Sequence, residues 1–252
     1  MVDVCVLLMW VGMDFSLIVA CYKDAPHLLR NVKILNDYLS TTKIRYEFVF
    51  VEDASPDNTA DEVRKCVGWL QSERVSVTAI YHERNTGRGR AVTDGIRVAT
   101  GDIVGYIDID LEHLMDGLIP MIREIQRGEA DVVVGRRALG NPMEKPIRVI
   151  SSYVYRWIVH AFIPLPVADT ECGLKVFHRE KILPVLEVAQ DAHWFWDTEI
   201  VHRAWRMGLK VSERWIVFVE DRKKASTVRL WHDTLAYLKA IRDYRRRLGD
   251  HL

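Results

Sequence analysis

The sequence has little of what marks several common classes of protein. Its 4 cysteines form no CxxC pair and no Cys/His ligand spacing, so we expect reduced cysteines in a cytosolic chain rather than disulfides or structural zinc. Glycine (14) and proline (8) are too few, and the apolar share of 49% too ordinary, for a disordered or fibrous chain. No apolar run reaches the roughly 18–20 residues that span a bilayer.

The charges of the chain balance each other. Its 35 basic residues match 35 acidic ones, which argues against a nucleic-acid partner bound through overall positive charge. A length of 252 residues suffices for one domain with its own core. The apolar residues 4–12 lack a basic leader and a small-residue cleavage site, so we expect them to precede the fold rather than to form a signal peptide.

Apolar runs and helical periodicities alternate along the first half of the chain. The predicted strands are 15–21, 46–52, 75–81, 103–107 and 131–135. The predicted helices are 26–39, 59–70, 89–99 and 114–126. This order is typical of an α/β fold with a mostly parallel sheet, which binds ligands beyond the carboxyl ends of its strands.

The second half of the chain is less regular. Strands are predicted at 172–177 and 211–219, with a helix over about 197–207 between them. We expect a single domain at 14–230, with a nucleotide-type first half at 14–113 and a more irregular second half at 114–230, followed by a basic amphipathic helix at 231–252.

Polar residues follow four of the predicted strands, in segments 22–24, 52–57, 85–91 and 108–113. Asp108 and Asp110 are two residues apart, so they face the same side of a strand end, with Glu112 beyond them. Two such carboxylates repel each other unless a cation lies between them, and hard oxygen ligands suit Mg²⁺ or Mn²⁺. A solvated turn is the simpler alternative.

Taken together, these segments resemble the inverting family 2 glycosyltransferases of the GT-A fold over roughly residues 15–230. In that family a strand-end Tyr and acid, an Asp-Asp-Gly-Ser-x-Asp turn, an Asn-x-Gly-x-Gly-x-Ala loop and an Asp-x-Asp follow in this order. The turn departs from the pattern here, reading Glu52-Asp53-Ala54-Ser55. The resemblance implies a GT-A fold, with a single Rossmann-like, mostly parallel sheet flanked by helices.

The resemblance also implies roles for particular residues. It gives Asp53 the nucleoside-binding role and Asp57 a supporting one. The residues expected to bind the donor or its phosphates are Ala20, Tyr22, Asp24, Asp53, Asp57, Asn85, Gly87, Arg88, Gly89, Asp108, Ile109, Arg136, Arg137, Lys175 and Lys223. The expected ligands of Mg²⁺ or Mn²⁺ are Asp108, Asp110 and Glu112.

Within the family, the segment Asp108-Ile-Asp110-Leu-Glu112-His113 resembles the Asp-Ala-Asp-Leu-Gln-His of dolichyl-phosphate mannose and glucose synthases, with Glu in place of Gln. Segment 169–177 is similar to the glucosyl members of that branch. Arg222, with Ser226 four residues later, resembles their Arg-x-x-Gly-x-Ser segment.

Two acceptor chemistries follow from this reading. A hydroxyl acceptor needs a general base, for which Asp169 is the candidate; Asp110 and Arg222 complete the expected catalytic set. A lipid phosphate is already an anion and needs only cations to hold it. Arg136, Arg148, Lys175 and Lys223 are the candidates for that.

Two segments suit a membrane surface. Residues 147–166 mix aromatic and basic side chains, and Arg245–Arg247 form a basic cluster near the chain end. Packing of the apolar stripe of 226–248 against the sheet is the alternative. We therefore expect peripheral contact at the cytosolic face of a membrane.

The sequence thus predicts a metal-dependent inverting transferase that moves a hexose from a nucleotide-sugar to a polyprenyl or dolichyl phosphate. GDP-mannose is the first expected donor and UDP-glucose the second. A family 2 transferase acting on a hydroxyl of a glycolipid or soluble acceptor, and a nucleotide-sugar-binding protein without catalysis, are the alternatives. Nothing in the sequence indicates a particular oligomeric state.

Overall fold

A computed structural model of the protein describes residues 13–109, 115–137, 156–217 and 230–249, with only the helical backbone described for 230–236. The predictions for residues 4–12, and for 147–155 of segment 147–166, therefore fall outside the described residues. The same holds for six of the named site residues, which are Asp110, Glu112, Arg148, Arg222, Lys223 and Ser226.

Strands and helices alternate as the periodicity predicts. The strands are β1 Phe15–Cys21, β2 Tyr46–Glu52, β3 Ser76–Tyr81, β4 Ile103–Ile107, β5 Val132–Arg137, β6 Leu174–His178 and β7 Val211–Ile216. The helices are α1 Leu28–Ser40, α2 Thr59–Ser72, α3 Arg88–Val98, α4 Leu118–Gln126, α5 156–162, α6 Arg179–Val188, α7 Trp196–Arg206 and α8 Leu230–Gly249. A 3₁₀ turn, Met115–Gly117, precedes α4, so that helix begins later than predicted.

The strands form one sheet in the order β3-β2-β1-β4-β6-β5-β7. All neighbouring pairs are parallel except those of β6, which runs antiparallel to both β4 and β5. The prediction of a mostly parallel α/β sheet is therefore confirmed. Because β6 runs antiparallel to β4, the first residues of β6 lie beside the carboxyl end of β4, where ligands are expected.

The strands are apolar throughout because both faces of the sheet are covered. Leu17 packs into one core with α1, α2 and α4, whereas its neighbour Ile18 packs into another with α3, α6 and α7. Helix α6 was not predicted, since Pro184 inside it interrupts the helical pattern.

Helix α8 is docked on the domain rather than set apart from it. Ile241 and Tyr244 are buried in a third core with Val159 and Phe195, and the Tyr244 hydroxyl lies 2.6 Å from Nδ1 of His202. The side chains of Val228, Trp231 and Leu235 lie outside the described residues and Leu238 is 37% exposed, so packing of the apolar stripe against the sheet stays a prediction. Among the described helices, none combines the length and apolarity needed to cross a bilayer.

Candidate active site

The turns that follow β1 and β2 are tied together by one hydroxyl. Thr59 Oγ1 accepts hydrogen bonds from the backbone N–H of Asp24 (2.9 Å) and donates to Asp57 Oδ1 (2.6 Å). The Asp24 carboxylate accepts from the backbone N–H of Tyr22 at 2.9 Å, next to Lys23, whose φ is 62°. Three of the predicted donor-binding residues, Tyr22, Asp24 and Asp57, thus lie in neighbouring turns, and Asp57 holds Thr59 in place through its hydrogen bond.

Asp53 faces the loop after β3 instead of solvent. Its carboxylate lies 2.8 Å from His82 Nδ1 and accepts from Thr86 N and Oγ1 and from Gly87 N, each at 2.8 Å. Its backbone carbonyl accepts from Asn85 Nδ2 at 3.2 Å. Burial alone would raise the pKa of Asp53, but the hydrogen bonds from His82, Thr86 and Gly87 hold it below its ordinary value. Asp53 therefore fixes this loop, while its contact with a nucleoside stays a prediction.

The glycines of the loop are required by close packing against the segment that leads into α7. A Cβ on Gly87 would collide with the Ala192 carbonyl, and one on Gly89 would collide with Trp196. Gly87 also has a φ of 97°, which glycine adopts without strain. This turn makes Arg88 the first residue of α3 and directs its side chain toward β4.

Arg88 joins two carboxylates from distant parts of the chain. Its guanidinium donates to Asp108 Oδ1 from Nη2 at 2.5 Å and from Nε at 3.0 Å, and Nη1 donates to Asp197 Oδ2. The guanidinium lies 5.0 Å from the ring centroid of Tyr106 and 5.3 Å from that of Trp194. Sequence analysis named Arg88 and Asp108 but not Asp197, whose position in an ordinary amphipathic helix gives no local signal.

Lys175 does not reach solvent, which corrects its predicted role in holding a phosphate. The residue is 0% exposed, and Nζ donates to Asp197 Oδ1 (2.5 Å), the Tyr106 hydroxyl (2.7 Å) and the Cys172 carbonyl (2.8 Å). Burial alone would raise the pKa of Asp197, yet Arg88 and Lys175 hold it below its ordinary value. Lys175 therefore neutralises Asp197 inside the fold.

Asp108 is positioned by two groups that sequence analysis did not assign to it. Its backbone N–H donates to the Gly173 carbonyl at 2.9 Å, and a Cβ on Gly173 would collide with the Asp108 carboxylate. Asn31, a polar residue on the buried face of α1, donates from Nδ2 to the Ile109 carbonyl at 2.7 Å. Ile109 is itself buried in the core, so this backbone carbonyl is held in place.

The Asp108 carboxylate fits the predicted metal chemistry as a hard oxygen donor at the carboxyl end of β4, with about a third of its side chain exposed (33%). Because Asp110 and Glu112 lie outside the described residues, the proposed set of three ligands stays a prediction. Within the ranges that the structure describes, no group of three His, Cys, Asp or Glu side chains is arranged to hold a metal.

Asp169 is bound by two arginines, which bears on its predicted role as a base. Arg137 donates to both of its oxygens at 2.9 Å, and Arg156 Nη2 donates to Oδ2 at 2.5 Å. Burial alone would raise the pKa of Asp169, but these arginines hold it below its ordinary value. A fully buried carboxylate in this state is a poor proton acceptor, so the structure does not favour Asp169 as a general base.

The neighbouring Arg136 points away from this pair. It forms an ion pair with Glu213, and its guanidinium lies 4.1 Å from the Trp215 ring centroid on β7. Successive residues of a strand face opposite sides, so Arg136 and Arg137 cannot serve one ligand from the same face. The predicted phosphate role of Arg136 is therefore not supported, whereas Arg137 lies beside Asp169.

The segment between Asp169 and Lys175 also contacts α8, which the sequence did not predict. Glu171 Oε1 accepts from Thr198 Oγ1 at 2.9 Å and from the Tyr237 hydroxyl at 2.8 Å. Burial, together with the nearby charge of Asp197, raises the pKa of Glu171. The contacts fix the segment between Asp169 and Lys175 against the C-terminal helix.

Known proteins resemble the chain in sequence. Residues 16–186 match the family model described as Glycosyl transferase family 2. The chain is 28% identical over 206 residues to Glycosyltransferase AglD of Haloferax volcanii, covering 80% of this chain and 32% of that protein. It is 27% identical over 218 residues to the dolichyl-phosphate beta-glucosyltransferase of Saccharomyces cerevisiae, covering 79% and 64%. The chain thus spans between about a third and two thirds of these relatives' lengths.

Solved structures resemble its fold. Mannosyltransferase PcManGT from Pyrobaculum calidifontis, solved with GDP-Man and Mn²⁺, superposes with a TM-score of 0.53 at 20% identity, covering 84% of this chain and 58% of that one. Glucosyl-3-phosphoglycerate synthase from Mycobacterium tuberculosis, solved with Mn²⁺, UDP and glucosyl-3-phosphoglycerate, gives a TM-score of 0.60 at 16% identity, covering 91% and 76%. The predicted GT-A fold is confirmed.

Proposed function

Because the chain belongs to glycosyltransferase family 2, we propose that it transfers a hexose from a nucleotide-sugar donor to the phosphate of a polyprenyl lipid, with inversion at the anomeric carbon. The observation that carries this proposal is the pairing of Asp169 with Arg137 and Arg156. It favours an anionic acceptor over a hydroxyl.

A hydroxyl acceptor and a phosphate acceptor need different groups from the site. A hydroxyl must lose a proton as it attacks, and a carboxylate with a lowered pKa between two arginines takes up that proton poorly. A lipid phosphate attacks as an anion and needs positive charge nearby. Arg137 and Arg156 keep 25% and 15% of their side chains exposed, so both arginines reach the surface on which such an acceptor would bind.

The donor side is built around Asp108. This carboxylate, with the predicted Asp110 and Glu112, would hold Mg²⁺ or Mn²⁺, which supplies charge neutralisation for a leaving diphosphate. The loop fixed by Asp53 brings Arg88, the first residue of α3, to the same place. Arg222 and Lys223 are the further predicted cations.

The donor sugar is the finer part of the proposal. The sequence places GDP-mannose first, but relatives named dolichyl-phosphate beta-glucosyltransferases match 79% of this chain, which supports glucose instead. We therefore place UDP-glucose ahead of GDP-mannose.

The lipid acceptor implies contact with a membrane surface, and α5 with α8 offers one. A groove of about 430 Å³ is lined by apolar and basic side chains, which are Phe162, Leu238, Ile241, Arg242, Arg245 and Arg246. The Arg245 guanidinium lies 5.7 Å from the Phe162 ring centroid. Such a mixture suits anionic headgroups at the cytosolic face, with the apolar residues toward the acyl region.

The test is a donor panel. The full chain is incubated with UDP-glucose or GDP-mannose, a polyprenyl phosphate in detergent and Mn²⁺, and the lipid is analysed by mass spectrometry. We expect a hexosyl-phosphate lipid with UDP-glucose. Transfer to the free polyprenol but not to its phosphate would overturn the acceptor assignment, and transfer from neither donor would overturn the reaction.

A further inference from the structure

Four charged side chains at the carboxyl end of β4, two positive and two negative, are joined by direct ion pairs. Arg88 and Lys175 supply the positive charges, and Asp108 and Asp197 the negative ones. Asp197 is already matched by Lys175, which is completely buried beside it at 2.5 Å. The charge of Arg88 is therefore left to balance that of Asp108, the predicted metal ligand.

We propose that Arg88 is an internal counter-ion that competes with the divalent metal for Asp108. When metal and nucleotide bind together, the Arg88 guanidinium releases Asp108 and pairs with the donor diphosphate. The proposal rests on the proposed function in placing metal and diphosphate at Asp108. It adds that the metal binds weakly alone, because Arg88 holds the same oxygen and repels a second cation.

The charge balance explains the coupling. A dication on Asp108 would lie close to a guanidinium that now donates to Oδ1 of that carboxylate at 2.5 Å, and the two cations repel each other. A nucleoside diphosphate adds negative charge that offsets both cations. Binding of the metal therefore raises the affinity for the nucleotide, and binding of the nucleotide raises the affinity for the metal. This is positive cooperativity between two ligands.

The geometry lets Arg88 exchange partners without leaving the site. Asp197 holds Nη1, while Nε and Nη2 hold Asp108, so one side of the guanidinium stays anchored as the other is released. Arg88 is the first residue of α3 and lies beside Asp108, where the proposed function puts the diphosphate. A guanidinium binds two phosphate oxygens as well as it binds a carboxylate.

The test measures Mn²⁺ binding, not turnover. Free Mn²⁺ is followed by electron paramagnetic resonance with the parent chain, with Arg88→Gln and with Arg90→Gln, each with and without UDP or GDP. Arg90 is a matched control, since it lies on the same helix, pairs with Asp94 at 2.7 Å and is half exposed (51%). Without nucleotide, Arg88→Gln should bind Mn²⁺ about tenfold more tightly than the parent, whereas Arg90→Gln should match the parent.

Two further measurements guard against a folding artefact. Arg88→Lys keeps the charge and should bind Mn²⁺ within about threefold of the parent, so a tightening as large as that of the Gln variant would overturn the proposal. In the parent itself, UDP or GDP should tighten Mn²⁺ at least about tenfold, and equal affinities with and without nucleotide would also overturn it.

The outcomes separate the two proposals. Unchanged Mn²⁺ affinity in a folded Arg88→Gln chain overturns the counter-ion, whatever the lipid assay shows. Failure of lipid transfer with the expected Mn²⁺ behaviour overturns the proposed acceptor and leaves the counter-ion in place.

Discussion

Replacing Lys175 by methionine tests whether this residue is a ligand group or an internal counter-ion. The chain supplies a matched control, because Lys181 also lies 2.5 Å from an aspartate, Asp131, but is 50% exposed whereas Lys175 is 0% exposed. The two substitutions remove the same charge and the same length of side chain. They differ in burial.

The expected magnitudes differ for that reason. At an effective dielectric constant of about 20, charges 2.5 Å apart attract by about 7 kcal/mol, and the cost of desolvating them offsets much of this. Removing Lys175 also leaves Asp197 with Arg88 as its remaining cation, so we expect a loss of about 3–5 kcal/mol. Lys181→Met should cost less than about 1 kcal/mol, since half of that side chain is screened by water.

The assay is urea unfolding followed by circular dichroism at pH 7. With a slope of about 3 kcal/mol per molar urea, Lys175→Met should lower the midpoint by about 1–1.7 M and Lys181→Met by less than about 0.3 M. Equal shifts for the two variants would refute the reasoning. So would a Lys175→Met chain of parental stability that no longer binds donor.

Three further predictions follow from the site. Arg137→Gln should raise the KM for lipid phosphate about tenfold, with little change in the KM for the donor. The control Arg214→Gln removes a similar charge from the same sheet and should change neither KM. Steady-state kinetics measures both constants. Gly173→Ala should abolish transfer while the chain still folds, because its methyl group displaces Asp108; full activity would contradict the packing described. Burial lowers the pKa of His202 from 6.5 to about 4, so the unfolded chain takes up a proton below pH 6.5 that the folded chain resists. Stability should therefore fall by about 3 kcal/mol between pH 6.5 and 4, and replacing this histidine by glutamine should remove that part of the pH dependence.

The parts of the fold that depend on neighbours in sequence could be predicted. A buried parallel strand such as β1 is a continuous apolar run in the sequence. The position of Asp108 directly after the apolar run of β4 can likewise be read without any tertiary information. The partners of Lys175 and Asp169 could not be predicted in this way. Asp197 lies 22 residues beyond Lys175, and Arg156 lies 13 residues before Asp169.

The antiparallel position of β6 in the sheet is the physical reason why the partners of Lys175 and Asp169 could not be predicted. Basic residues were assigned to phosphates because a cation in a sequence gives no sign of whether a carboxylate will be packed against it. The turn of the chain that places β6 beside β4 brings Lys175 inward to Asp197, and the Asp169 side chain is bound by Arg137 of β5. Helical periodicity similarly fails at α6, where packing against α3 and α7 outweighs the internal proline.

The short stretch from Asp169 to Lys175 limits how this enzyme could be re-engineered. Asp169 pairs with Arg137 and Arg156, Gly173 packs against the Asp108 carboxylate, and Lys175 pairs with Asp197 in the core. A chimera that imports acceptor preference from a homologue should therefore place its junction before Asp169. Exchanging this stretch without β4 and α7 would separate surfaces that are matched to one another.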